Sequence, residues 1–174
     1  MEKQRFTTKS IALMGVLIGL RIVLSQFLSI TTPFVKISFF FIPVVIMAIM
    51  FGPVLTGAGN AIGDFIGALL FPAGGAYFPG FTLTALIAGL IDGASYHKKE
   101  LTLKRIIITN IIVTFLVSFP LNTLWLYMIF SSSVVAMIPT RLIASLILCA
   151  VQIAVTYSLA NVSVFQKQVI KFNA

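Results

Sequence analysis

Six apolar stretches, each near the length of a bilayer crossing, constrain this chain more than any other feature. They run over about 10–30, 37–51, 53–71, 79–96, 103–130 and 139–164. Gly52-Pro53, residues 72–75, the polar loop 97–100 and Ser131-Ser132-Ser133 punctuate them. One crossing takes about 20 apolar residues, so six take on the order of 120. The chain has 174 residues, which leaves only short loops. Charged residues make up 9% and hydrophobic residues 59%, with a mean hydropathy of +1.10. A soluble domain carries roughly a quarter charged residues, so a water-soluble enzyme is excluded. Disorder is excluded as well, since low hydrophobicity is its signature. The expected fold is an all-α integral membrane protein of six transmembrane helices, one membrane domain over 1–174. No inverted internal repeat of the kind found in secondary transporters is visible.

The charges orient the chain. The net charge of +8 does not mark a nucleic-acid surface, because the cations sit at segment ends and form no stripe. Lys3, Arg5 and Lys9 precede the first segment, Lys98, Lys99, Lys104 and Arg105 fill the 4–5 loop, and Lys167 and Lys171 lie in the tail. With six crossings all nine fall on one side, against Lys36 and Arg141 on the other and Arg21 within helix 1. That bias predicts cytoplasmic termini for a multi-pass membrane protein, with the 1–2, 3–4 and 5–6 loops outward. The basic start followed by an apolar run imitates a signal peptide, but Arg21 interrupts the run and no small-residue cleavage site follows, so an uncleaved first helix is expected. The single cysteine, Cys149, excludes an intrachain disulfide.

This topology gathers the unusual residues in the outer half. Arg21 lies roughly 18 Å beyond Lys9 at about 1.5 Å per residue. Lys36 falls in the outer 1–2 loop, Phe81 and Thr82 at the outer end of helix 4, Asn122 and Trp125 near the outer end of helix 5 after Pro120, and Arg141 at the outer start of helix 6. Ionisable groups within a membrane are costly and mark functional sites by default. Arg21 has two readings, a structural pair with Asp64 or a ligand contact. Lys36 either faces solvent or meets a ligand, and Arg141 is an interfacial anchor or an anion site favoured by its helix N-terminus. Trp125 suits an aromatic belt or stacking on a planar ligand, with Asn122 reading the ligand's polar edge. Phe39, Phe40, Phe41, Tyr77, Phe78 and Phe81 are candidates for an aromatic lining.

In helix 3, Thr56, Asn60 and Asp64 form a polar stripe, and Gly59, Gly63 and Gly67 a second stripe that lets a neighbouring helix come close. Asp64 holds an arginine or accepts N–H groups from a heterocycle. His97, in a basic loop, is expected in solvent. The chain has no P-loop, no G-x-S-x-G, no H-E-x-x-H and no CxxC pair. With one His, one Cys and four acidic residues, neither a metal site nor a catalytic triad is expected. Energy for any transport must then come from a partner or a gradient, and no cofactor is expected in this chain.

Longer motifs carry a family resemblance. The stretch Phe27-Leu28-Ser29-Ile30-Thr31-Thr32-Pro33-Phe34-Val35-Lys36-Ile37-Ser38-Phe39, with Phe41-Ile42-Pro43, resembles the first outer loop and second helix of folate-specific substrate-binding (S) components of energy-coupling factor (ECF) vitamin transporters. Phe51-Gly52-Pro53, Asp64, Tyr77-Phe78-Pro79-Gly80-Phe81-Thr82, Asn122-Thr123-Leu124-Trp125-Leu126 and Pro139-Thr140-Arg141-Leu142-Ile143 look like the same family. The resemblance implies a non-enzymatic six-helix subunit that binds folate in an outward-facing cavity under the first loop. It implies docking on a transmembrane coupling protein with two ATPases, and delivery by toppling in the bilayer. The implied ligand set is Arg21, Lys36, Ser38, Asp64, Tyr77, Phe81, Thr82, Asn122, Trp125 and Arg141. The family's Ala-x-x-x-Ala docking surface matches Gly15 and Gly19, with Ala12 one turn below; the two glycines could instead pack within the chain. The alternatives are an S component for another vitamin, or a self-sufficient secondary transporter.

Overall fold

The computed structural model describes residues 8–27, 29–31, 36–71, 77–130 and 138–161. The basic residues Lys3, Arg5, Lys167 and Lys171, and the breaks at 72–75 and 131–133, lie outside them. Helix α1 spans Thr8–Gln26. A two-stranded antiparallel hairpin follows, β1 (Ser29–Thr31) and β2 (Lys36–Ser38), in the register Ser29 to Ser38, Ile30 to Ile37 and Thr31 to Lys36. Then come α2 (Phe41–Leu70) and α3 (Pro79–Tyr96). Leu103–Phe130 is one helical run made of α4 (Leu103–Ile111), a π-helical stretch (Ile112–Ser118) and α5 (Phe119–Phe130). Helix α6 covers Ile138–Asn161. Among the described residues, α1, α2, the run from Leu103 and α6 are long and apolar enough to cross a membrane.

The segment ends change here. Residues 29–30 and 37–38, assigned to the end of the first segment and the start of the second, belong to strands, so α1 stops at Gln26 and α2 starts at Phe41. The second and third segments meet inside α2, which is two helices joined across a kink at Gly52. At Gly52 the backbone takes φ 76° and ψ −174°, a conformation glycine adopts without steric cost. Pro53 enforces the break, because it disfavours helical geometry in the residue before it and has no N–H to give.

The lost donor has a consequence one helix away. In an unbroken helix the carbonyl of Ile49 would accept from residue 53, which is proline. Instead the Nδ1–H of His97 donates to the Ile49 oxygen at 3.1 Å. His97 is half-buried against Gly52, so it is a structural pin at the kink and not the solvated loop residue expected from sequence.

Helix α2 forms the centre. Val45, Ala48 and Ile49 join Tyr96, Ile106 and Ala160 in one core cluster, while Val44, Met47, Met50 and Phe51 pack with Leu17 in another. The second half of α2 lies against α3 with backbones nearly touching. A Cβ on Gly93 would overlap Pro53 Cα, and one on Gly89 would sit 2.8 Å from the Thr56 carbonyl. Such close approach replaces the hydrophobic drive that is absent between helices in lipid. In the later run, Phe119 N–H reaches back five residues to the Thr114 carbonyl. This wide turn stands directly before Pro120, where an α-helical ladder would clash and lose a donor.

Candidate functional site

The polar residues of α1, α2 and α3 meet in one hydrogen-bonded chain. Gly63 makes room for it: a Cβ there would lie 2.7 Å from Arg21 Cδ. Lying over that gap, Arg21 is 4% exposed. Its Nε donates to Asn60 Oδ1 at 2.6 Å and its Nη2 to Asp64 Oδ1 at 3.2 Å, and its guanidinium stands 5.4 Å from the ring centre of Phe40. Asn60 in turn donates through Nδ2 to the Ala85 carbonyl at 2.7 Å, tying α1 to α3 through α2. The second Asp64 oxygen accepts from Thr82 Oγ1 at 3.0 Å, and Thr82 accepts from Tyr77 OH at 3.0 Å.

This geometry supports the structural reading of Arg21 and Asp64: they are an ion pair. A buried guanidinium is tolerated only when its donors are matched, and here a carboxylate and an amide match them. Asp64 keeps an open edge, with 27% of its side chain exposed. Asn60 completes the network. It was legible as part of the Thr56-Asn60-Asp64 stripe, although it was not singled out as a site residue.

Beside this chain lies an aromatic group. Trp125 rests on the start of α3, where a Cβ on Gly80 would sit 2.5 Å from Trp125 Cδ2. Its indole N–H donates to Thr84 Oγ1 at 2.9 Å, and its ring is 5.7 Å from Phe78 at a 45° tilt. Phe78 makes an edge contact with Phe81 at 6.2 Å, and Tyr77 one with Phe65 at 5.2 Å. Trp125 is thus locked by Thr84, a partner no sequence motif announced. Of the other aromatic candidates, Phe41 is buried in the core and Phe39 is exposed beside it.

Three buried side-chain atoms, Asn122 Oδ1, Arg141 Nε and Thr156 Oγ1, make no hydrogen bond with the described residues. Buried polar atoms are otherwise almost always satisfied. Asn122 precedes Trp125 by three residues, which puts the two on neighbouring positions of the same α5 face, and Arg141 is in the first turn of α6. Ser38 is buried at the end of β2, opposite Ser29. Lys36 lies in β2 opposite Thr31, and its side chain falls outside the described residues. The structure therefore joins Arg21, Asp64, Thr82 and Tyr77 directly, and groups Trp125 with the residues around Phe81. No ion pair connects Arg141 to this network among the described residues.

Ala12, Gly15 and Gly19 lie on an exposed face of α1. A Cβ on either glycine would meet nothing within 4 Å among the described residues. Packing of these two glycines inside the chain, the alternative left open by the sequence, is not what the structure shows.

Chemically, the residues brought together offer flat aromatic faces and a partly open carboxylate edge, with the unmatched Asn122 amide oxygen on the Trp125 face of α5. Such a set suits a planar heterocycle with a polar edge.

Comparison with known proteins places this geometry. Residues 9–165 match the family model described as ECF transporter, substrate-specific component. A protein named folate transporter FolT from Clostridium novyi (strain NT) is 40% identical over 144 residues, covering 83% of each chain. Another protein of that name, from Leuconostoc mesenteroides subsp. mesenteroides, is 32% identical over 163 residues, 90% of this chain and 87% of that one. A solved structure described as a crystal structure of FolT bound with folic acid superposes with a TM-score of 0.83 at 45% identity, over 89% of this chain and 94% of that one. This multi-pass membrane protein belongs to the family of substrate-specific components of ECF transporters.

Proposed function

We propose that this chain is a folate-binding S component of an ATP-driven importer. The observation that carries the reading is the 45% identical neighbour solved with folic acid. Two of the orphaned polar atoms in this chain, Asn122 Oδ1 and Arg141 Nε, fit the same chemistry. Folate has a flat pterin, an aminobenzoyl ring and a glutamate with two carboxylates. The rings go among Phe78, Phe81 and Trp125, and Asn122 meets a ring edge. Arg141 and Lys36 neutralise the carboxylates, under the loop that contains the hairpin. Arg21, already paired, shapes the cavity through Asp64 and Thr82.

The chain performs no chemistry in this reading. Six crossings, counting the two halves of α2 separately, put both termini in the cytoplasm and the ligand site outward, in line with the charge bias. A transmembrane coupling protein with two ATPases supplies the energy, and the open small-residue face at Ala12, Gly15 and Gly19 receives it.

The test is calorimetry on the protein purified alone in detergent, with folate, thiamine, riboflavin and pantothenate. Folate should bind and the other vitamins should not. Arg141→Ala should weaken folate roughly tenfold to a hundredfold, as loss of a charge-assisted hydrogen bond does. Saturable quenching of Trp125 fluorescence should accompany binding and vanish in Trp125→Phe. Heat with another vitamin and none with folate would discard the folate reading and keep the family. Folate uptake by vesicles holding this protein alone would replace the ATP-driven reading with a secondary transporter.

A further inference from the structure

A second polar site lies at the other end of α3, where the loop 97–102 leads into α4. A cavity of about 370 Å³ opens there between the two helices, lined among others by Lys99, Thr102, Lys104, Arg105, Ile108 and Ile112. Its lining is mixed. Three cations and the hydroxyls of Ser95, Thr102 and Thr109 line it, and Ile108 and Ile112 follow along the helical run. Lys99 spends one donor on the Ala94 carbonyl, and Arg105 spends one on the carbonyl of Glu100. An ammonium has three donors and a guanidinium five, so both keep N–H groups for an anion. Lys104 is exposed and has no side-chain partner among the described residues. Within 97–105, four cations face the single carboxylate of Glu100.

We propose that this cavity binds the phosphate headgroup of an anionic phospholipid, with an acyl chain laid along α4. The apolar wall selects a lipid over a free anion. Ile108 is 47% exposed at the cavity, and Leu103 and Ile111 are 46% and 45% exposed on the same helix. Exposed isoleucines beside a basic cluster match the boundary between headgroup and hydrocarbon, and an inorganic phosphate needs no such wall. Basic pockets between membrane helices recognise acidic headgroups through this combination. The site is separate from the folate cavity, so its success or failure leaves the folate reading untouched.

The test uses the full chain reconstituted with equal amounts of phosphatidylglycerol and phosphatidylcholine, with the lipids that stay bound after extraction counted by native mass spectrometry. Phosphatidylglycerol should be retained preferentially. The exposed Lys104→Gln should reduce that preference roughly fivefold, the equivalent of one cation at a charged bilayer surface, and Lys104→Arg should keep it. The triple variant Lys99→Gln, Lys104→Gln, Arg105→Gln should abolish it, with folding checked by protection of the buried Cys149 thiol. Equal retention of the two lipids, or an unchanged preference in Lys104→Gln, would overturn the proposal. So would displacement of the lipid by millimolar inorganic phosphate, which would mark a free-anion site. Retained lipid preference in the triple variant with loss of a co-purifying ATPase module would make the surface a protein contact instead.

Discussion

Two glycine stripes with the same four-residue spacing have opposite fates in this molecule. Gly59, Gly63 and Gly67 on α2 are buried under α1, with Met14, Arg21 and Gln26 lying over them. Gly15 and Gly19 on α1 face away and meet nothing within 4 Å among the described residues. Small residues at this spacing permit close approach without saying what approaches. The difference lies in the residues opposite. The α2 stripe runs beside Asn60 and Asp64, and α1 brings an arginine that needs both. No described element presents anything to Gly15 and Gly19, and the docking proposal places the coupling protein there. One stripe is covered within the chain and the other is open.

The largest effect should come from removing what the covered stripe serves. Asp64→Leu leaves a guanidinium buried beside Asn60 without its counter-ion. Breaking a buried pair on one side costs 3–5 kcal/mol when both groups are fully buried. The open edge of Asp64 and the remaining Asn60 bond lower the expectation to about 3 kcal/mol. Cys149 is the chain's single cysteine and is buried, so a thiol-reactive dye followed on heating reports unfolding directly. An unchanged midpoint would mean that the pair contributes no net stability and that the two stripes differ less than their contacts imply.

Gly63→Val comes next. The added Cβ would lie 2.7 Å from Arg21 Cδ, and Arg21 cannot swing aside without leaving two partners. Overpacking of this kind costs about 1–3 kcal/mol. The same thermal assay should show a loss smaller than that of Asp64→Leu. Combining the two changes should cost less than their sum, since both act through Arg21.

How far the sequence revealed this arrangement depends on the length of each signal. The apolar segments are long and repeat a strong pattern, so helices were legible throughout, as was the break at Gly52-Pro53. The Arg21–Asp64 pair was legible because two opposite charges at membrane depth have few other partners. The hairpin was not: strands of three residues are too short to show alternation, and Lys36-Ile37-Ser38 runs into the apolar start of α2. His97 was misplaced because its reason is a missing proton on Pro53, a constraint from a different helix. Thr84 was invisible for a similar reason, since only the packing of Trp125 on Gly80 brings the indole to its hydroxyl. Asn122 and Arg141 stood out in the sequence as polar residues in apolar surroundings, but their lack of partners needed coordinates.

The smallest effect on stability is expected where the comparison says most about function. Gly15→Leu with Gly19→Leu adds side chains to open space, in helical positions where leucine is a better helix former than glycine. The thermal midpoint should stay within about 0.5 kcal/mol of the parent, as for surface changes that touch nothing. Folate titration should also be unchanged, because the network at Arg21 lies on the opposite face of α1. Only association with the coupling module should fall, read by co-purification of the ATPase subunits. A marked loss of stability would show that α1 meets something within its own chain on that face, and the two stripes would then be one kind. Intact association with both leucines present would move docking to another surface and leave Gly15 and Gly19 as lipid-facing residues.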